Sequence, residues 1–363
     1  MGARGGAGRE IDSARHQTCF AGSSPSQGCA ESVAAPSGEG RVTVDINRPV
    51  DLYDALIVGG GPAGLSAAVY LARACRRVAV ADCKRPGRSD YAQVNHNYLG
   101  FPDGIAALEL SSIGRQQAER FGTRFVDVEV ARLWQADGVF AAEAPGGPTL
   151  HARAVILATG VHDRWPEFPG YHDFVGRTMH WCIVCDGYEM RGQRVVVVGN
   201  DDETAQTASQ MQRFTDQVTL LTNDGSLGMR PEIVRHLDER GIRIVVGRIV
   251  GARSKKRGIF EAIELEGGGE IALDHLFSHQ GADPNVALAR ALGLDLDAGQ
   301  YIRADDEGRT SMPGVYAAGD VTRHFAHQIS SAVHEGAAAA TTLNYDLFLK
   351  DEDAFRVSHG QPD

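Results

Sequence analysis

The stretch DLYDALIVGGGPAGLSAAVYLARACRRVAVADCKR, residues 51–85, decides the fold. Its apolar run ALIV, residues 55–58, reads as a buried strand. A glycine turn follows, then an Ala- and Leu-rich segment of helical period, then a second apolar run, VAVA at 78–81. That order is a βαβ unit, from which helix-covered parallel sheets are built. Gly59, Gly61 and Gly64 form GxGxxG where the strand meets the helix. In that register Gly59 permits the tight turn, Gly61 lets the backbone approach a pyrophosphate, and Gly64 lets helix and strand pack closely. Asp82 ends the second strand, roughly twenty residues on, where a carboxylate accepts ribose hydroxyls. With strand, helix and acid in register, the turn reads as a dinucleotide site, but it does not by itself distinguish FAD from a nicotinamide cofactor.

A second strand, turn, helix and strand follow in QRVVVVGNDDETAQTASQMQRFTDQVTLLTND, residues 193–224, which predicts a second nucleotide-type domain. HARAVILATGV, residues 151–161, and FEAIELEGGGEIALDHLFSHQGADPN, residues 260–285, read as strands closing small sheets. HQISSAVHEGAAAATTLNYDLFLK, residues 327–350, is Ala-rich and amphipathic and is expected to be the last helix, with a flexible polar tail over 351–363. Residues 1–50 are rich in Gly, Ala, Ser, Arg and Pro without either period. They are expected to be a disordered extension or an over-long gene start, with Cys19 and Cys29 incidental.

Composition narrows the function. The net charge is −11, and no Lys/Arg-rich block is present to contact phosphates, which argues against nucleic acid or an anionic membrane as partner. No apolar run approaches the ~18 residues of a membrane span and no signal-peptide pattern opens the chain, so a cytoplasmic location is expected. The six cysteines are too few and too irregular for a disulfide-stapled secreted fold. The informative ones are Cys182 and Cys185, in HWCIVCDG. A CxxC at a helix N-terminus closes a small disulfide, and the helix dipole lowers one thiol's pKa, as thiol–disulfide exchange requires. A structural zinc site needs four ligands, and no second CxxC or close His pair supplies them, so no metal is expected.

YDALIVGGGPAGLSAAVYLAR, NHNYLGFPDGI, VILATG, CIVCDG, TSMPGVYAAGDVT and HQISSAVHEGAAAA, in this order and spacing, resemble the low-molecular-weight thioredoxin reductases over roughly residues 52–348. The resemblance implies an α/β fold of two Rossmann-like three-layer nucleotide-binding domains, the second inserted in the first. An FAD domain would comprise residues 51–163 and 284–350, and a pyridine-nucleotide-type domain, residues 164–283, would carry the redox cysteines. It further implies FAD contacts from Gly59, Gly61, Gly64, Asp82, Asn97, Thr159, Gly160, Asp320, Gln328 and Ile329. Asp320, at the end of a short strand before a helix, suits a ribitol hydroxyl, and the helix N-terminus suits the flavin pyrimidine edge. By the same resemblance Cys185 lies against the flavin, Cys182 exchanges with the partner, Asp186 moves the proton, and the enzyme is a homodimer acting on a small dithiol or a thioredoxin-like protein. PGRSDYAQ, residues 86–93, replaces the family's Gly-Gly-Gln. His180 and His334 are lesser candidates, with packing and a helix-surface position as their ordinary alternatives.

The second turn departs from the family. It reads GNDDETA, with Asp201 at the close-approach position and Thr204 at the packing position. Two like charges at ~4 Å in an effective dielectric of ~20 cost on the order of 4 kcal/mol, roughly three decades of affinity. Thr222, Asn223 and Asp224 stand where the family's His-Arg-Arg cluster holds the NADPH 2′-phosphate, and Arg230 reads as a surface charge. NADPH is therefore disfavoured as a cofactor. Three functions fit these features. The first is a flavin-dependent dithiol oxidase with oxygen as acceptor, like enzymes that close disulfides in microbial dithiol natural products. The second is a thioredoxin-disulfide reductase fed by NADPH or another donor such as ferredoxin. The third is a non-catalytic flavoprotein, against which the intact CIVCDG speaks.

Overall fold

The computed structural model describes residues 52–83, 87–323 and 325–359. The extension expected over residues 1–50, with Cys19 and Cys29, lies outside the described residues, as do positions 360–363 of the expected tail.

Leu52–Val58, buried along almost its whole length, is central to the first sheet. It pairs in parallel with Val78–Ala81 on one side and with Thr149–Leu157 on the other. Arg124–Val126 extends the sheet beyond Val78–Ala81, and the antiparallel strands Val139–Glu143 and Arg132–Ala136 extend it beyond Thr149–Leu157. The late strand Val315–Ala317 returns to pair in parallel with Val155–Leu157. HARAVIL thus lies within this principal sheet rather than closing a small one. Its burial explains the misreading: the strand alternates in its first half and is buried on both faces in its second, so neither period covers its whole length.

On one face Ala55 and Ile57 pack with Ala67 and Leu71 of the helix Pro62–Arg73 and with Ala339 and Leu343 of the helix Ile329–Ser358. The two helices touch closely at Gly336, where a Cβ would come within 2.1 Å of the Ala63 carbonyl oxygen. The opposite face packs Leu56, Phe140 and Leu157 against Leu288 and Ala289 of the short helix Ala287–Ala291. The last helix continues to Ser358, beyond the expected tail boundary, and Asp351 in this added segment pairs with Arg76 and Arg153 of the first sheet's layer.

The second sheet repeats the plan. Its five strands are parallel, in the order Met179–His180, His275–Ser278, Val195–Val198, Val218–Leu221 and Arg243–Val245. The helices Asp202–Met211 and Pro231–Glu239 share a core with it, and Ile249–Lys256, Ile259–Leu265 and Glu270–Ala272 form an antiparallel meander. Where the chain crosses between the sheets, Val161–Asp163 pairs antiparallel with Ala282–Pro284. The fold is α/β with two Rossmann-like units, the second inserted in the first. Among the described residues no helix is long and apolar enough to cross a membrane.

Candidate active site

Cys182 and Cys185 form a disulfide. The helix that carries them, Ile183–Asp186, is a single turn capped by Cys182 and ended at Gly187. The expectation of a helix dipole acting on the thiols needs correction, because one turn aligns too few peptide units to supply much of it. Gln328, the N-cap of the last helix, lies against both sulfurs, its Nε2 standing 3.4 Å from Cys182 Sγ and 3.5 Å from Cys185 Sγ. Asn97 Nδ2 donates to Gln328 Oε1 at 2.9 Å, and Ile329 opens the helix. Three distant chain segments therefore bring Asn97, Gln328, Ile329 and the disulfide to one helix N-terminus.

The first glycine turn is built as its sequence implies. A Cβ on Gly59 would meet the Ala158 carbonyl oxygen at 2.3 Å, and one on Gly64 would meet the Gly59 carbonyl oxygen at 2.0 Å. Gly61 caps the helix Pro62–Arg73 without any side-chain cap, and a Cβ there would meet only Ser89 Oγ, at 3.6 Å. The first N–H groups of that helix thus remain available to an anion. Asp82 Oδ1 accepts from Gly60 N at 3.2 Å, which holds its carboxylate beside the turn. Thr159 and Gly160 follow the strand Thr149–Leu157; Thr159 Oγ1 donates to the Asn285 carbonyl oxygen at 2.8 Å, and Gly160 has φ +65°. An uncapped glycine at the helix start with an anchored carboxylate nearby fits the pyrophosphate and ribose of a dinucleotide.

A pyridine nucleotide-disulphide oxidoreductase family model matches residues 53–336. The chain belongs to this family. It is 33% identical over 294 residues to the thioredoxin reductase of Treponema pallidum (strain Nichols), a match covering 79% of this chain and 95% of that protein. Against the thioredoxin reductase of Aquifex aeolicus (strain VF5) it is 30% identical over 316 residues, covering 84% and 95%. Among solved structures, HlmI is similar with a TM-score of 0.77 at 30% identity, covering 84% of this chain and 96% of that one. The protein is an FAD-dependent disulfide oxidoreductase of the thioredoxin reductase type.

The oxidoreductase adds site residues that sequence reading missed. Arg88, from the departing segment PGRSDYAQ, makes a forked ion pair with buried Asp163 and reaches Asp320 Oδ2 at 2.9 Å. Its guanidinium stands 6.0 Å from the Trp181 ring, and Tyr91 and Trp165 pack edge-on against the same indole. The segment that replaces Gly-Gly-Gln thus grips the residue beside Cys182. Glu335 Oε2 accepts from Gly319 N at 2.8 Å and Thr322 Oγ1 at 2.9 Å, and the carboxylate also pairs with Arg323, which holds the Gly319–Asp320 turn. Its signal was a lone acid in the Ala-rich run HEGAAAA. His334, by contrast, is solvent-exposed on that helix.

His180 is buried, and its Nδ1 lies 3.5 Å from Asp186 Oδ2. His180 Nε2 and His275 Nδ1 are 3.0 Å apart, and His275 Nε2 lies 3.1 Å from Gln193 Oε1. Burial, reinforced by His180, pushes the His275 imidazole from its ordinary 6.5 down to about 4. Folded protein therefore binds fewer protons than unfolded chain between these values. Stability present above about pH 6.5 is lost as pH falls towards 4, by about 2 kcal/mol after a discount for residual exposure. Calorimetry should show Tm falling roughly 4 °C across that window beyond the trend of His275→Asn; parallel profiles would refute the assignment.

The oxidoreductase's second glycine turn is built differently from the first. Asp201 caps the helix Asp202–Met211, and its Oδ1 accepts from both Thr204 N and Thr204 Oγ1 at 2.7 Å. Asn200 Oδ1 accepts from Gly228 N at 2.7 Å, its Nδ2 donates to the Ser226 carbonyl oxygen at 3.2 Å, and Asp202 pairs with Arg230. Arg230 is thus a surface charge, as expected, and pairs with Asp202. The side chains standing for the basic cluster are also occupied. Thr222 Oγ1 donates to the Asp224 carbonyl oxygen, Asn223 Oδ1 accepts from Ile249 N, and Asp224 Oδ1 accepts from Ser226 N and Oγ.

Proposed function

We propose that this oxidoreductase is a dithiol oxidase that closes a disulfide in a small dithiol and passes the electrons to oxygen. The contrast between its two glycine turns carries this reading. At the first, the helix N-terminus is uncapped and open, whereas at the second Asp201 occupies the same kind of anion position and loop 225–230 is tied onto the turn. A dinucleotide pyrophosphate at the second turn would have to displace a carboxylate that already satisfies the helix. The pairing of Val161–Asp163 with Ala282–Pro284 supports domain boundaries near residues 163 and 284.

In this reading Gly59, Gly61, Gly64, Asp82, Thr159, Gly160 and Asp320 would hold FAD, with Asn97, Gln328 and Ile329 at the flavin end. FAD there supplies a two-electron acceptor for the Cys182–Cys185 dithiol and, once reduced, a donor for oxygen. Cys182 receives the substrate thiol, Cys185 is the leaving sulfur, and Asp186 takes the released proton. Gln328 keeps both sulfurs at the helix N-terminus. Val184, between the cysteines, is 70% exposed, which suits an apolar substrate edge. Exposed Tyr70, Tyr345 and Phe348 on the two adjoining helices support a homodimer.

The alternative, reduction of thioredoxin, is the activity for which the curated relatives are named. Air-saturated assays separate the two. Dithiothreitol should be oxidised with equimolar oxygen uptake and hydrogen peroxide formation, and without nicotinamide. Turnover confined to NADPH plus thioredoxin would favour the reductase.

A further inference from the structure

The chain Gln193, His275, His180, Asp186 has a direction that its atoms dictate. Gln193 Nε2 donates to the Glu189 carbonyl oxygen at 3.1 Å, which leaves Gln193 Oε1 as the atom facing His275. A carbonyl oxygen only accepts, so His275 Nε2 carries the proton in that contact. Neutral His275 then has a bare Nδ1, and at 3.0 Å that nitrogen must accept from His180 Nε2. With that proton on Nε2, the neutral form of His180 has its bare Nδ1 towards Asp186 Oδ2. The 3.5 Å between them is longer than a hydrogen bond.

We infer that Gln193 and His275 are positioning residues that hold His180 in its Nε2–H tautomer, so that Nδ1 stands ready beside Asp186 for the proton released when the disulfide opens. The inference rests on the thiol chemistry proposed above, not on the identity of the final electron acceptor. The substrate R(SH)2 attacks Cys182. The Cys182–Cys185 bond breaks, Cys185 leaves as thiolate, and the attacking thiol's proton passes to Asp186 and is shared with His180 Nδ1. The second substrate thiol then displaces Cys182, forming RS2, and its proton remains on the Cys182 thiol. Two protons leave the substrate, one now on Cys182 and one on the His180–Asp186 pair, and the two electrons reside in the dithiol.

The surroundings suit a neutral His275. Met179–His180 and His275–Ser278 are adjacent parallel strands, which fixes the two rings side by side. The charged groups facing His275 are His180, Asp186 and its neighbour Asp274, and Asp274 is itself engaged by Arg194 and Lys255. Burial keeps the imidazole well below its ordinary range, so it stays uncharged near neutrality and keeps an acceptor nitrogen towards His180.

The direct test is long-range 1H–15N correlation on 15N-histidine-labelled, FAD-loaded, oxidised protein near pH 7.5. His275 and His180 should both show the Nε2–H tautomer, and an Nδ1–H tautomer on His275 would overturn the inference. A kinetic test uses anaerobic flavin bleaching by dithiothreitol. His275→Phe keeps bulk but removes the acceptor. It should slow bleaching roughly tenfold at pH 7 and displace the rise of rate with pH upward by about one unit, without altering saturation by dithiothreitol. His275→Asn, which keeps an acceptor oxygen near the Nδ1 position, should recover most of the lost rate. A wild-type pH profile in His275→Phe would refute the positioning role. Because both tests omit oxygen and NADPH, they can fail while the oxidase reading stands, and the converse also holds.

Discussion

In anaerobic stopped flow, NADPH should bleach the wild-type flavin roughly two to three decades more slowly than a small dithiol does. The Coulomb estimate for a carboxylate against a pyrophosphate is about three decades, and the exposure of Asp201 screens part of it. The loop bonded to Asn200 and Asp202 adds a steric barrier that the sequence did not disclose. Reversal therefore takes more than one change. Asp201→Gly alone removes the charge, at a capping cost of only about a few tenths of a kcal/mol, but leaves the loop in place. Asn223→Arg puts a long side chain at φ +50° and loses the bond to Ile249 N. A quadruple variant, Asp201→Gly, Asp202→Ser, Asn223→Arg and Asp224→Arg, should raise the NADPH rate at least tenfold. Bleaching of wild-type flavin within seconds by micromolar NADPH would show that the donor site functions despite its form.

The second large effect concerns the cysteines. Cys185→Ser should abolish flavin bleaching by dithiols, a loss of about a thousandfold or more, while FAD stays bound, because no residue of the glycine turn is touched. Cys182→Ser should also stop turnover, but it leaves one thiolate at position 185. That thiolate should appear as a long-wavelength absorption band on the oxidised flavin, absent from Cys185→Ser. The reverse pattern would exchange the roles of the two sulfurs, and wild-type turnover by either variant would remove the disulfide from the mechanism.

Features carried by local chain pattern were legible in the sequence. The first βαβ unit announced itself through two apolar runs and three spaced glycines, and the last helix through its alanines. The departure at Asp201 was readable because a missing glycine is a local fact. Features made by register between distant segments were hidden. Residues 180 and 275 meet only because their strands lie side by side, and no spacing signals that pairing. Arg88, Asp163 and Asp320 come from three separate segments, so their cluster had no linear trace. The helix carrying the cysteines is a single turn ending at Gly187, a length that the CxxC spacing does not signal.

The two differently finished helix ends divide the molecule thermodynamically. In the inserted unit Asp201 supplies the anion from within the chain, so that helix is complete whether or not any ligand is present. In the first unit the helix that starts at Gly61 has no side-chain cap, and with FAD held there as proposed its binding free energy would add to that unit's folding free energy. Loss of the flavin thus falls on one half of the protein. On that reading the unit bearing the disulfide would keep its capped helix when the flavin is lost.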